Sequence, residues 1–280
     1  MQPRGGHSTA GIGSGQTERF PLTLFAFAVL VRVSLAVAAY LFTSDLQVFH
    51  APDTSSYIQP TQELLSDGTF SLNGNAELKR TPGYSLVLGP GITVNHVEVV
   101  TIAIQILLGA LSVWLVFLIS LQIFASYRCA LIAAWLYAIE PLSILYTSKL
   151  LTETWFGTLL LLSMYFLIRH LNRREARPFT KCLFVSAVTL AATAYVRPVS
   201  YFLPIFIFLG WVLVILIGYR TKRVSSVGVK LTSAIGFFVV SMSLIAAWQV
   251  RNYVQAGYSG FSGVPDSNLY FYLGAATLAS

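Results

Sequence analysis

In 280 residues the chain carries 55% hydrophobic and only 10% charged side chains, with a mean hydropathy of +0.69. That composition excludes an ordinary soluble domain and a disordered chain, and it belongs with integral membrane proteins. The net charge of +7 does not point to nucleic acid, because the basic residues gather at the ends of apolar runs rather than on one soluble face.

The Gly/Ser-rich opening, residues 1–19, reads as a disordered tail. Seven apolar runs follow, at about Phe20–Phe42, Val97–Leu121, Cys129–Tyr146, Thr154–Ile168, Cys182–Val196, Tyr201–Gly218 and Leu231–Val250. A crossing needs roughly 20 apolar residues, so the fourth and fifth runs are short for a straight span. The first run is too long for a signal-peptide core and lacks a small-residue cleavage site after it, so it reads as a retained helix. The expected fold is an all-α polytopic membrane protein of about seven transmembrane helices over residues 20–250.

Orientation comes from the connectors. "RHLNRREARPFTK" and "YRTKRVSSVGVK" are strongly basic, Arg128 lies between runs two and three, and Arg19 precedes run one. Simple alternation puts all four on one side, which the positive-inside rule makes the cytoplasm. The interval 43–96, the turn 147–153, the Arg197 turn and the segment 251–280 then face outward. Cys129 and Cys182 each open an apolar run and show no disulfide, metal or nucleophile pattern.

The outward interval 43–96 is unusual. Asp45, Asp53, Glu63, Asp67, Glu77 and Glu98 put six of the eleven acidic residues in or beside it. At roughly 50 residues it is too long for a bare connector. Tyr57, Ile58, Leu64 and Leu65 suit a short interfacial helix that Pro60 allows only to start there, and "TPGYSLVLGPG" opens a second apolar patch along the surface. His50 and Glu63 have no metal-ligand spacing. Glu63 and Asp67 read as solvated residues around that helix. The polar residues hardest to explain by structure alone are Asp53, Arg80, Lys149, Glu153, Arg197 and Arg251, and all of them converge on the outer side. Arg32 is the exception: it sits mid-span, where a charge costs several kcal/mol unless paired.

The ordered set "PDTSSYI", "LLSDGTFSLN", "LKRTPGYSLVLGP", "EPLSILYTSKLLTETWFG", "YVRPVSYFLP" and "WQVRNYVQAGY" resembles the glycosyltransferase-C superfamily. Within it the set is similar to the branch of polyprenyl-phosphate-mannose protein mannosyltransferases and aminoarabinose transferases. The resemblance implies an inverting transferase that moves a sugar from a polyprenyl-phosphate donor to a protein, lipid or glycan acceptor hydroxyl. Membrane lipids are its surroundings, and no nucleic acid is involved. It implies Asp53 as the base, Glu153 as a second catalytic carboxylate, and Tyr57, Arg80, Tyr84, Lys149, Arg197 and Arg251 as substrate-binding residues. Some relatives bind a divalent ion, so the resemblance leaves a metal open while the residues name no ligand. It also implies a bacterial inner-membrane location with the N-terminus in the cytoplasm, and a truncated extracytoplasmic segment at 251–280. One position departs from the pattern: many members have an acid directly after the catalytic Asp, and here Thr54 stands in its place.

Two other classes compete. A transporter or flippase of a lipid-linked or small polar solute would put ionisable residues at mid-membrane beside broken helices. A non-catalytic membrane scaffold would fit Thr54 and the short chain.

Overall fold

The structure, a computed structural model, describes residues 20–173, 177–221 and 227–270. The expected tail 1–19, the end of the C-terminal segment, and Arg174, Lys222 and Arg223 of the basic connectors lie outside those residues.

The first span is α1 (Leu22–Thr43), closed by Ser44 in the left-handed region with its N–H on the Tyr40 carbonyl. The polar interval then folds as α2 (Ser55–Asp67), a small hairpin of β1 (Ser71–Leu72) and β2 (Asn75–Ala76), and α3 (Pro82–Thr93). It therefore holds two helices, but α2 begins five residues before Pro60, whose ring lies buried in the second turn. A proline there removes one early backbone bond without breaking the helix further on. Gly68, at φ +70, closes α2 with its N–H on the Leu64 carbonyl. In the hairpin, Asn73 and Gly74 both have positive φ, the two-residue turn that suits the twist of paired strands.

The membrane part continues with α4 (Val97–Phe124), α5 (Tyr127–Ala138), α6 (Pro141–Thr147), α7 (Glu153–Leu171), α8 (Lys181–Val196), α9 (Leu203–Arg220) and α10 (Val227–Ala256). The third expected run is thus two helices, bent by 55° at a break where Glu140 caps α6: its carboxylate accepts from Leu142 N at 3.0 Å and from Ser143 N. Among the described residues α1, α4, α7, α9 with the turn before it, and α10 are long and apolar enough to cross a membrane, and α5–α6 makes a sixth if it is one span. Seven spans were expected. The difference is α8, whose 16 residues fall below spanning length. The fourth run, by contrast, is longer than its apolar centre suggests, reaching 19 residues in α7. The all-α polytopic class stands.

Two of the closely approached glycines, Gly83 and Gly109, bear on the site. A Cβ at Gly83 would lie 2.5 Å from the Tyr195 carbonyl oxygen, so the start of α3 rests directly on the end of α8. This brings the Arg80–Tyr84 segment beside Arg197. A Cβ at Gly109 would lie 2.5 Å from Arg32 Nε and 2.8 Å from Thr147 Cγ2. Gly109 therefore lets the fully buried Arg32 side chain pass α4 to reach Ser143 Oγ on α6, at 3.1 Å. The second bond of Arg32 goes to the Ala28 carbonyl at 3.0 Å.

Candidate active site

Below α1 the chain turns through a 3₁₀ segment, Leu46–Phe49, into the Asp53 loop. Three bonds fasten this loop to the turn before α7. Leu150 N donates to the Phe49 carbonyl at 2.9 Å, Lys149 Nζ donates to the Val48 carbonyl at 2.6 Å, and Thr54 Oγ1 donates to the Leu150 carbonyl at 3.2 Å. Thr54 Oγ1 also accepts from Ala51 N at 2.8 Å. Thr54 is buried and needs to give and take a hydrogen bond at once, which a hydroxyl does and a carboxylate does not. The departure from the resembled pattern thus has a structural reason.

Fastening the loop leaves Asp53 pointing outward, 57% exposed, with Oδ1 2.7 Å from Arg80 Nη2. Arg80 is held in place by its remaining nitrogens: Nε donates to Ser56 Oγ at 2.9 Å and Nη1 to Tyr57 Oη at 3.0 Å, with the guanidinium 4.6 Å above the Tyr57 ring. The backbone before it is fixed by Glu77, whose buried carboxylate accepts from Lys79 N at 2.6 Å and Arg80 N at 2.8 Å. A planar fork with all three nitrogens engaged has little freedom left.

The second pair stands on different elements. Glu153 opens α7, and Arg197 ends α8, where the backbone turns to the extended region before Pro198. Arg197 Nη1 lies 2.8 Å from Glu153 Oε1, and Thr152 Oγ1 donates to Glu153 Oε2 at 3.3 Å. The first pair reaches Tyr57 through Arg80. Burial pushes its phenol up from the ordinary value, and the charges of Arg80, Asp53, Glu153 and Arg197 all act on it, the cations downward and the carboxylates upward. The raised phenol keeps its proton beside the Asp53–Arg80 pair.

Beneath Glu153 and Arg197 a half-open cleft of about 400 Å³ runs between α4, α6 and α7. Thr154, Tyr146, Ser143, Glu140 and Tyr137 give it a polar wall, and Phe156 and Leu142 an apolar one. The Thr154 hydroxyl is buried without a partner.

Three expected ligands have partners within the protein. Arg251 lies inside α10, donating to the Phe70 carbonyl at 2.6 Å and the Glu77 carbonyl at 2.9 Å, and stacks 4.6 Å over Trp248. It ties the hairpin to α10. Lys149 is the strut to Val48 already described. Tyr84 is fully buried, with its hydroxyl on Gln105 Oε1 at 3.1 Å. Glu63, read as solvated, instead anchors the hairpin, accepting from Ser71 Oγ at 2.6 Å and Asn73 N at 2.6 Å. Those bonds, that of Ser71 first, hold its carboxyl below the ordinary value. His50 Nε2 pairs with Glu98 Oε1 at 2.9 Å. Among the described residues no three His, Cys, Asp or Glu gather as a metal site, and Asp53 and Glu153 each face a guanidinium.

Sequence reasoning did not single out Ser56, Gln105 or Glu140. The first two partner Arg80 and Tyr84 across more than twenty residues of sequence and carry no motif. Glu140 had a signal: an acid before Pro141 at the head of an apolar run is a helix cap.

The dolichyl-phosphate-mannose-protein mannosyltransferase family matches residues 79–246, more than half of the chain, and the chain belongs to that family. The match covers Arg80, Tyr84, Lys149, Glu153 and Arg197, while Asp53, Tyr57 and Arg251 lie outside it. No curated protein and no solved structure matches the chain. Membership makes this a membrane protein of the glycosyltransferase type, mannosyltransferase-like.

Proposed function

We propose that this member of the mannosyltransferase family transfers a sugar from a polyprenyl-phosphate donor to an acceptor hydroxyl at the outer membrane face, with inversion at the anomeric carbon. The observation that carries this reading is the pair of carboxylate–guanidinium contacts, Asp53–Arg80 at 2.7 Å and Glu153–Arg197 at 2.8 Å. Asp53 takes the proton of the acceptor hydroxyl as its oxygen bonds to the anomeric carbon. The bond from that carbon to the phosphate oxygen breaks, and its electron pair leaves with the lipid phosphate.

The leaving phosphate gains negative charge, which guanidiniums stabilise by forked hydrogen bonds. Arg80 and Arg197 fill that role. Without donor each is neutralised by a site carboxylate, so an arriving phosphate exchanges partners with them. That exchange frees Asp53 to act as base when the donor is present, and frees Glu153 to hold the acceptor side. Tyr57 keeps Arg80 oriented and offers a neutral hydroxyl to the sugar or the phosphate. The basic connectors at Arg128, Arg169 to Lys181 and Arg220 to Lys230 support a cytoplasmic face opposite the site, in a bacterial inner membrane, with α8 as a short seventh crossing.

The test supplies membranes holding the chain with labelled undecaprenyl-phosphate mannose or labelled guanosine-diphosphate mannose, plus a threonine-bearing peptide or a glycan acceptor. Incorporation from the lipid donor is expected. Incorporation from the nucleotide sugar alone would overturn the reading.

One observation favours a second reading. The α5–α6 break brings Glu140 near the buried mid-span Arg32, whose surroundings include the charge of that carboxylate. Ionisable groups at a broken span suit a transporter of a lipid-linked solute. Movement of labelled lipid donor across proteoliposomes, without product formation, is the result that would favour it.

A further inference from the structure

We infer that Gln105 is a positioning residue for the transfer reaction, holding from inside the bundle the two backbones that present Asp53 and Glu153. The inference rests on the transferase reading for its catalytic consequence, and on the hydrogen bonds alone for its structural one.

Gln105 lies on α4, eight residues in from its outer end and about 12 Å below it at 1.5 Å per residue. It is fully buried, yet no group of the amide is left over. Nε2 donates to the Lys149 carbonyl at 2.7 Å and the Thr147 carbonyl at 3.2 Å, with the Tyr146 carbonyl at 3.5 Å. Oε1 accepts from the Tyr84 hydroxyl. The amide orientation follows from chemistry: carbonyls accept only, so the NH₂ must face them, and the tyrosine supplies the one donor on the other side.

The bonds form one path. Gln105 fixes the turn 146–150, and that turn fixes the loop 48–54 through Lys149, Leu150 and Thr54. Asp53 is the exposed end of that loop. Glu153 follows Lys149 by four residues, so the same turn sets where α7 begins. On the other side Tyr84 belongs to α3, whose Ser85 carbonyl accepts from Thr61 on α2 at 3.1 Å and whose Ser85 Oγ donates to the Tyr57 carbonyl at 3.3 Å. One apolar-span amide thus ties together α3, the carrier of Tyr57, and both carboxylate-bearing segments. Any buried amide needs partners, since leaving it unpaired is costly; what marks Gln105 is that its partners lie on the 146–150 turn and on α3, and not on its own helix.

The experiment compares full-length wild type, Gln105→Leu, Tyr84→Phe and Asp53→Asn in detergent micelles and in membranes. Hydrogen exchange requires no substrate. Gln105→Leu is expected to speed exchange at least ~10-fold in 48–54 and 146–151 together, while α8 and α10 stay at wild-type rates. Transfer from undecaprenyl-phosphate mannose is expected to fall ~10- to 30-fold in kcat, with donor KM within ~2-fold, because geometry and not binding is lost. Tyr84→Phe keeps the carbonyl bonds but frees the amide to rotate, so it should give the same pattern at ~3-fold and covers the case in which Gln105→Leu does not fold. Exchange rising only in 146–151, or unchanged kcat in variants whose exchange rises, would overturn the inference. If wild type transfers no sugar from the lipid donor, the transferase reading fails instead. If Asp53→Asn is fully active, only the assignment of Asp53 as base fails. In both cases the exchange arm still decides the coupling of the two segments.

Discussion

Arg80 reaches Asp53 at 2.7 Å with one nitrogen while its other two are spent on Ser56 and Tyr57, so the cation nearest the candidate base is locked in direction as well as charge. Lysine has the charge without the fork. Arg80→Lys should therefore lower kcat/KM ~10-fold, and Arg80→Ala ~100-fold or more, for a lipid-phosphate donor. Equal activity of the lysine variant and wild type would show that only charge matters.

Glu153 and Arg197 make the complementary test. Arg197→Gln removes a phosphate ligand and should raise the donor KM ~10-fold or more. Glu153→Gln removes the carboxylate that competes with phosphate for Arg197, so donor binding should be unchanged or tighter while kcat falls. A KM that rises in Arg197→Gln and does not rise in Glu153→Gln is the signature, read from donor titrations at fixed acceptor. Parallel weakening in both would mean that the pair is structural.

Much of this site was visible before any coordinates. Asp53, Tyr57, Arg80, Glu153 and Arg197 stand out as polar residues at one face of a greasy chain, and they do come together. What the sequence hid was the division of labour among cations. Arg251 and Lys149 have the same composition signal as Arg197, but backbone carbonyls of the 48–77 region capture them, and a carbonyl partner leaves no mark in a residue pattern. The α5–α6 break was hidden for a related reason: apolarity continues through Ile139 and across Pro141, and hydropathy does not register direction. Pro60 misled in the other direction, because a proline in the second turn weakens a helix without preventing it.

Gly109 lets the buried Arg32 through the bundle, and Gly109→Ala places a methyl 2.5 Å from Arg32 Nε and 2.8 Å from Thr147 Cγ2. Overpacking of this kind costs about 1–3 kcal/mol. The thermal midpoint in detergent should drop, and Arg32→Met in the same chain should recover part of the loss, since the shorter flexible side chain clears the methyl. Additive losses in the double variant would contradict the packing described.

Glu63 gives a pH dependence. Its carboxyl is held low by Ser71 first and by the Asn73 and Gly74 N–H groups, so the hairpin tie is complete above the ordinary value near 4.5 and is lost as pH falls through the lowered value. Phe70 at the head of the hairpin packs edge-on against Trp248, with ring centroids 5.8 Å apart. In a chain whose only tryptophan is Trp248, fluorescence should change in acid below about 4.5, and Ser71→Ala should move that change to higher pH. A change centred near neutrality would assign it to another group.

The role of Asp53 is tested most directly by single-turnover transfer from undecaprenyl-phosphate mannose, with wild type and Asp53→Asn inserted to equal levels. The amide keeps the size and the contact with Arg80 but cannot take a proton. The rate of the chemical step is expected to fall at least ~100-fold while donor affinity stays within a few-fold. An asparagine variant that transfers at the wild-type rate would contradict the assignment of Asp53 as the base.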